Sequence, residues 1–144
     1  PEYVFMSRDP NEHHQLILVG GRPAGTPSQI VQLSLKVQTL ADMRTMYEIV
    51  TADSDAHDVQ TRAHGVAWSL YFKDPEENTV EIFTPSPWYV HAPTMIPFSF
   101  EEMTDSEIFD HVAAAVKEKP GYSSYDEWRE KATIQMREGG HRTA

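Results

Sequence analysis

Residues 72–83 read FKDPEENTVEIF, a pattern that predicts the end of one strand, a tight turn and a second strand. The turn is Asp74-Pro75-Glu76-Glu77-Asn78, which is rich in turn-forming residues. Because side chains alternate along a strand, Val80 and Ile82 share one face and Glu81 points to the other. The carboxylate of Glu81 therefore either faces solvent or is held inward to bind something.

The segments before this hairpin complete a strand–helix–strand–strand–strand pattern over residues 30–84. Ile30–Val37 alternates as a strand, and the next apolar residues recur at helical spacing from Thr39, a candidate N-cap, to Thr51. Three further strands are predicted, at Val59–Thr61, Ala67–Lys73 and Thr79–Thr84. The order predicts one complete βαβββ unit.

Two strands are predicted before that unit, at Tyr3–Ser7 and His13–Val19, and they match only the last two strands of an equivalent unit. We therefore expect an α+β fold of paired βαβββ modules. The modules would form a curved, largely antiparallel sheet with helices outside, and the first module would be truncated in this chain.

Composition shifts after Pro85, where a proline-rich stretch predicts an extended segment across a surface. Two capping-box patterns, Thr104 with Glu107 and Ser124 with Glu127, then predict the starts of two helices. We expect residues 1–90 to form one domain and residues 91–144 to form a tail of extended chain and two helices.

Charge and composition limit the function classes. With 144 residues and a net charge of −10, the chain is the size of one domain and lacks the basic surface that nucleic-acid phosphates require. It has no cysteine, so metal ligands would be His, Asp, Glu or Gln. No apolar run approaches the length of a membrane span. We expect a cytoplasmic protein that binds neither membranes nor nucleic acids.

Alternation also predicts a polar sheet face that carries Gln32, Ser34, Tyr71 and Glu81, which His14 could join from a neighbouring strand. Antiparallel sheets often keep one wet face, so such a face by itself requires no chemistry. We assign two other histidines to ordinary surface positions, His57 on a loop and His111 on a helix.

The stretch HGVAWSLYFKDPEENTVEIF, residues 64–83, resembles the last two strands of the vicinal oxygen chelate superfamily. This superfamily includes glyoxalases, bleomycin-resistance proteins and type I extradiol dioxygenases. Its common turn is Asp-Pro-Asp-Gly-Asn, followed by an apolar residue and a glutamate. Glu77 stands here where the glycine usually does. The resemblance covers about residues 1–90.

Within the superfamily, the chain looks most like extradiol dioxygenases that cleave biphenyl-type catechols. Those enzymes are similar in a double histidine before a strand and in a tyrosine ten residues before a metal-binding glutamate. The resemblance implies His14, His64 and Tyr71 as catalytic residues, with His14 as the acid/base. It implies Glu81 as a metal ligand, with Fe(II) as the expected metal and Mn, Ni or Zn as other choices.

Gln32 departs from this pattern, because the dioxygenases have a ligand histidine at its place. Some glyoxalases resemble the chain here, with Gln and Glu as metal ligands on opposing strands, so Gln32 is the second candidate ligand. The resemblance implies a metal-dependent, extradiol-dioxygenase-like homodimer acting on a catecholic or other vicinal-oxygen small molecule. The alternatives are a glyoxalase-type lyase or isomerase, and a non-catalytic small-molecule-binding protein of the bleomycin-resistance type.

Overall fold

The computed structural model describes residues 3–6, 16–23, 25–26, 32–91 and 94–137. The described elements, in chain order, are β1 (Tyr3–Met6), β2 (Leu16–Val19), β3 (Leu33–Lys36), α1 (Leu40–Ala52), β4 (His57–Ala63), β5 (Ala67–Lys73), β6 (Thr79–Pro85), β7 (Trp88–Tyr89), β8 (Ile96–Pro97), α2 (Asp105–Lys117), β9 (Ser123–Ser124) and α3 (Tyr125–Arg137). This set confirms the predicted α+β class.

A mixed five-stranded sheet with the strand order β3-β6-β5-β4-β8 forms the body of the described chain. Strand β3 runs parallel to β6, while the other neighbours are antiparallel. With α1 between β3 and β4, the segment forms the predicted βαβββ unit. Strands β1 and β2 pair separately as an antiparallel two-stranded sheet, and β7 pairs with β9 in another.

Helix α1 begins where the sequence predicted, because Thr39 and Asp42 form a reciprocal capping box. Its residues Met43 and Val50 are buried in the same core as Leu70 and Ile82 of the sheet. Leu35 pairs with Ile82 and so lies on the same face of the sheet, although 44% of it is exposed. Among the described strands, β3 lies at the edge of the sheet, next to β6.

The C-terminal part packs onto this body. Ile108, Val112 and Val116 of α2 are fully buried in the core, and Thr104 caps the helix as predicted. Ser124 and Glu127 exchange backbone–side-chain hydrogen bonds at the start of α3, which confirms the second predicted capping box. None of the helices in the described ranges is long and apolar enough to cross a membrane.

Arg44 of α1 binds the segment that leads into α2. Its guanidinium donates to the Asp105 carboxylate at 2.7 Å and to the carbonyl oxygens of Phe100 at 2.6 Å and Met103 at 2.8 Å. The guanidinium carbon also lies 4.7 Å from the centre of the Phe100 ring. Because charge-assisted hydrogen bonds are among the stronger kind, these contacts fix the position of α2 relative to α1.

The turn between β5 and β6 is organised by Asp74, whose Oδ1 accepts hydrogen bonds from the backbone N–H groups of Glu76 and Asn78. Glu77 adopts a φ of +65° in this turn. That left-handed conformation strains residues that carry a Cβ, whereas glycine adopts it freely. The position therefore suits the glycine that the superfamily turn usually has.

Replacing Glu77 by glycine is expected to stabilise the fold. The substitution relieves the strain of the left-handed backbone, and we expect the free energy of unfolding to rise by about 1 kcal/mol. Urea denaturation followed by circular dichroism measures the change. Glu77→Ala is the matched control, because it also removes the exposed ion pair with His57 but keeps the Cβ. Equal stability of the glycine and alanine variants would contradict the assignment of strain to this turn.

Candidate functional site

A row of four polar side chains crosses the open face of the five-stranded sheet. The strand registers pair Ser34 of β3 with Glu81 of β6, Glu81 with Tyr71 of β5, and Tyr71 with Gln60 of β4. Directly paired residues project from the same face of a sheet, so the four side chains are neighbours. The alternation that buries Leu70 and Ile82 on the opposite face places Tyr71 and Glu81 here.

Glu81 is held inward and does not project into solvent, since only 8% of it is exposed. One carboxylate oxygen, Oε2, accepts hydrogen bonds from Ser34 Oγ at 2.6 Å and from Gln32 Nε2 at 2.9 Å. The other, Oε1, accepts from the Tyr71 hydroxyl at 2.5 Å. Three donors therefore compensate the loss of water around this carboxylate.

These hydrogen bonds determine the charge of Glu81. Burial acts to raise the pKa of Glu81, but the hydrogen bonds from Ser34 and Tyr71, together with the charge of nearby His64, lower it further than burial raises it. The net result is a pKa below the ordinary value of a glutamate. Glu81 is thus an ionised carboxylate at neutral pH.

Tyr71 links Glu81 to His64. The Tyr71 hydroxyl lies 3.0 Å from His64 Nε2, and His64 Nδ1 lies 2.8 Å from the carbonyl oxygen of Thr94. Burial and the hydrogen bond to Glu81 raise the pKa of Tyr71 to about 12. The phenol therefore keeps its proton across the neutral range and connects the imidazole to the carboxylate.

The Thr94 carbonyl fixes the orientation of the His64 ring. A carbonyl oxygen can only accept a hydrogen bond, so His64 Nδ1 donates to it. The Tyr71 hydroxyl donates to Glu81 and lies next to His64 Nε2. His64, Tyr71 and Glu81 thus form a connected unit.

An open cavity of about 310 Å³ lies over this unit. Such a volume suits a small molecule. Its walls come from β4, β5, β6 and the residue before β3, and its lining residues are Gln32, Asp58, Gln60, Arg62, His64, Tyr71, Phe72, Lys73 and Thr79. The hydroxyl of Tyr71 and the ring of His64 are thus accessible from a cavity, while Glu81 lies behind them.

The described residues do not by themselves fit an iron site of the two-histidine, one-carboxylate type. Within these ranges, no three His, Cys, Asp or Glu side chains are grouped so that they could hold a metal ion. His64 is separated from Glu81 by the Tyr71 hydroxyl, and Gln32 presents its amide nitrogen to the carboxylate. Of Gln32, His64 and Glu81, Glu81 is the candidate ligand that carries a negative charge.

Most residues of this candidate site could be predicted from the sequence. The structure brings together four of the five predicted site residues, Gln32, His64, Tyr71 and Glu81; their roles stay predictions. His14 lies outside the described residues. His111 is on the exposed face of α2 as expected, whereas His57 is the first residue of β4 and not part of a loop.

Two contributions were missed. The Thr94 carbonyl comes from a proline-rich stretch with no local signal for such a role. Gln60 and Arg62 line the cavity because β4 is longer than the predicted Val59–Thr61 and alternates from Val59 to Ala63. The alternation of Val59, Thr61 and Ala63 with polar residues could have revealed them.

Part of the chain is similar in sequence to a known dioxygenase. The chain is 32% identical over 88 residues to biphenyl-2,3-diol 1,2-dioxygenase 3 of Rhodococcus globerulus. The match covers 57% of this chain and 45% of the relative, so the chain spans less than half of that protein's length. No family profile matches the chain, and no solved structure matches it. The similarity supports the superfamily and no particular member of it.

The raised pKa of Tyr71 predicts how its contribution to stability depends on pH. A phenol whose pKa rises on folding contributes fully below the unfolded value of 10.0, and this contribution is lost as the pH rises towards about 12. Tyr71→Phe should lower the free energy of unfolding by roughly 1.5–3 kcal/mol near pH 8, because a hydrogen bond to a charged group is lost. Urea denaturation at several pH values should show the difference shrinking above about pH 10. A difference that stays constant up to pH 11 would contradict the raised pKa.

Proposed function

We propose that this chain carries one module of an extradiol-dioxygenase-like enzyme of the vicinal oxygen chelate superfamily. Its substrate, a catecholic or other vicinal-oxygen small molecule, binds in the cavity over Tyr71. The observation that carries this proposal is the connected unit of His64, Tyr71 and Glu81 at the wall of that cavity. The similarity to a biphenyl-2,3-diol dioxygenase supports the choice of a catechol.

The hydrogen-bond arrangement is suited to receive a proton from a catechol hydroxyl. A substrate hydroxyl that donates to His64 Nε2 replaces the contact with Tyr71 and brings its own proton. Because Nδ1 is already held by the Thr94 carbonyl, the ring keeps its orientation during the exchange. His64 then acts as general base, and Tyr71 keeps its hydrogen bond to Glu81.

The enzyme would need a divalent metal, Fe(II) in the first place and Mn, Ni or Zn as other choices. Such an ion supplies Lewis-acid activation of the vicinal oxygens. Glu81 would provide one ligand, and Gln32 could provide a second through its amide oxygen if the amide turned over. Because the described residues offer no complete set, the remaining ligands would have to come from outside them.

The position of Gln32 beside Glu81 favours a second candidate function, that of a glyoxalase-type enzyme. The 2.9 Å contact places an amide and a carboxylate on neighbouring strands, as in the glyoxalases that use Gln and Glu ligands. A glyoxalase-type lyase or isomerase would need no dioxygen. A non-catalytic binding protein would use the same cavity without turnover.

The central test uses the full chain, prepared without oxygen and supplied with Fe(II), with 2,3-dihydroxybiphenyl as the probe. We expect oxygen uptake on mixing with aerated buffer, and its loss in Glu81→Gln. His64→Gln should slow turnover by roughly 10²-fold or more, the usual contribution of a general base. Glu48→Gln is the matched control, since it removes an exposed carboxylate from α1 and should leave the rate unchanged.

Three outcomes separate the candidates. Catechol binding without oxygen uptake, under every metal supplied, would favour a binding protein. Turnover of a hemithioacetal without oxygen consumption would favour the glyoxalase type. Absence of both binding and turnover for either probe would overturn the assignment to this cavity.

We also propose that the protein forms a homodimer, because βαβββ units of the kind that this chain resembles often pair. The expected result in light scattering coupled to gel filtration is twice the chain mass of 16.4 kDa at micromolar concentration. A mass of one chain would contradict the dimer.

A further inference from the structure

Two cations line the cavity over Tyr71 in addition to the residues of the proposed reaction. Arg62 lies on β4 two residues after Gln60, and Lys73 lies on β5 two residues after Tyr71. The period of two along a strand puts both on the open face. The only anionic side chain among the lining residues is Asp58, which is exposed at the start of β4. The lining thus carries two cations and one carboxylate, with the Glu81 carboxylate behind Tyr71.

Arg62 has no carboxylate partner among the described residues. Its Nη2 donates to the side-chain oxygen of Gln60, and its Nη1 lies 3.9 Å from the sulfur of Met95. A thioether is a weak acceptor, and a guanidinium has five N–H donors. By contrast, three other arginines in the described ranges each contact a carboxylate, namely Arg22, Arg44 and Arg129. Arg62 thus has donors available for a ligand.

Lys73 also has no carboxylate partner among the residues that the structure describes. Its ammonium group donates to Thr79 Oγ1 at 2.8 Å and to the backbone oxygen of Glu77 at 3.2 Å, both of which are uncharged acceptors. These contacts hold the ammonium group at the rim of the cavity without neutralising it. The strand register places Arg62 level with Ser69, which is about 13 Å along β5 from Lys73. A bound carboxylate would therefore contact Arg62 directly, while Lys73 would attract it through space.

We propose that Arg62 and Lys73 form an anion subsite, so that the molecule bound in this cavity is a catechol that also carries a carboxylate group. The planar guanidinium of Arg62 matches a carboxylate with two parallel hydrogen bonds, and Lys73 adds a second positive charge. The vicinal oxygens then face Tyr71 and His64. This inference rests on the proposed function for the diol part of the ligand, while the anion subsite itself rests on the two cations.

The test compares four probes by isothermal titration calorimetry on the full chain in oxygen-free buffer. The probes are catechol, 2,3-dihydroxybenzoate, 3,4-dihydroxybenzoate and benzoate. We expect at least one dihydroxybenzoate to bind about tenfold or more tightly than catechol, as one charge-assisted hydrogen-bonded pair would give. Raising the salt concentration should reduce this advantage, because the cations are near the surface.

Variants identify the groups responsible. Arg62→Gln should abolish the preference for the dihydroxybenzoate, and an unchanged circular dichroism spectrum checks that the variant remains folded. Lys73→Gln should reduce the preference in part. Lys36→Gln is the matched control, since Lys36 lies on β3 about 13 Å along the strand from Gln32 and does not line the cavity. It should leave the preference intact.

The outcomes distinguish this inference from the proposed function. Catechol binding with no preference for either dihydroxybenzoate would overturn the anion subsite and leave the catechol site standing. Benzoate binding that is lost in Arg62→Gln, without any catechol binding, would support the anion subsite and count against the catechol site. A preference that survives in Arg62→Gln would overturn the role of Arg62.

Discussion

The carboxylate of Glu81 is the group on which the arrangement of the open face depends. A buried charge is tolerated only when donors replace the water it has lost, and here Ser34, Gln32 and Tyr71 do so from both neighbouring strands. Those strands must keep their register for the donors to reach. The hydrogen bonds of the site therefore depend on the register of the sheet. A slip of one residue in β5 would bring Leu70 or Phe72 next to the Glu81 carboxylate, which would lose its hydrogen bond from Tyr71.

Much of this could be predicted because strand alternation and helix capping are local rules. Alternation placed Tyr71, Glu81 and Gln32 on one face. Thr39 marked the start of α1, and the capping box of Thr104 and Glu107 marked the start of α2. Contacts between distant segments gave no such signal. The carbonyl of Thr94 reaches His64 across 30 residues, and only the folded chain shows that it orients the imidazole.

The sequence similarity to a dioxygenase and the geometry of the open face support different parts of the proposed function. The similarity to a biphenyl-2,3-diol dioxygenase covers a limited part of both chains and indicates a class of chemistry. The geometry places His64 and Tyr71 at the wall of a cavity that suits a small molecule. Gln32 is where the two diverge, because its amide nitrogen donates to Glu81 at a place where the dioxygenases it resembles use a histidine.

The guanidinium of Arg44 has a consequence for how the chain folds. Its three acceptors lie 56 to 61 residues further along the chain, so none of these bonds can form until both regions are in place. Contacts of such high sequence separation form late and slow the folding reaction. During synthesis, the βαβββ unit would leave the ribosome with the apolar surface that later receives α2 still uncovered. The fold is therefore complete only when the segment that carries α2 has been made.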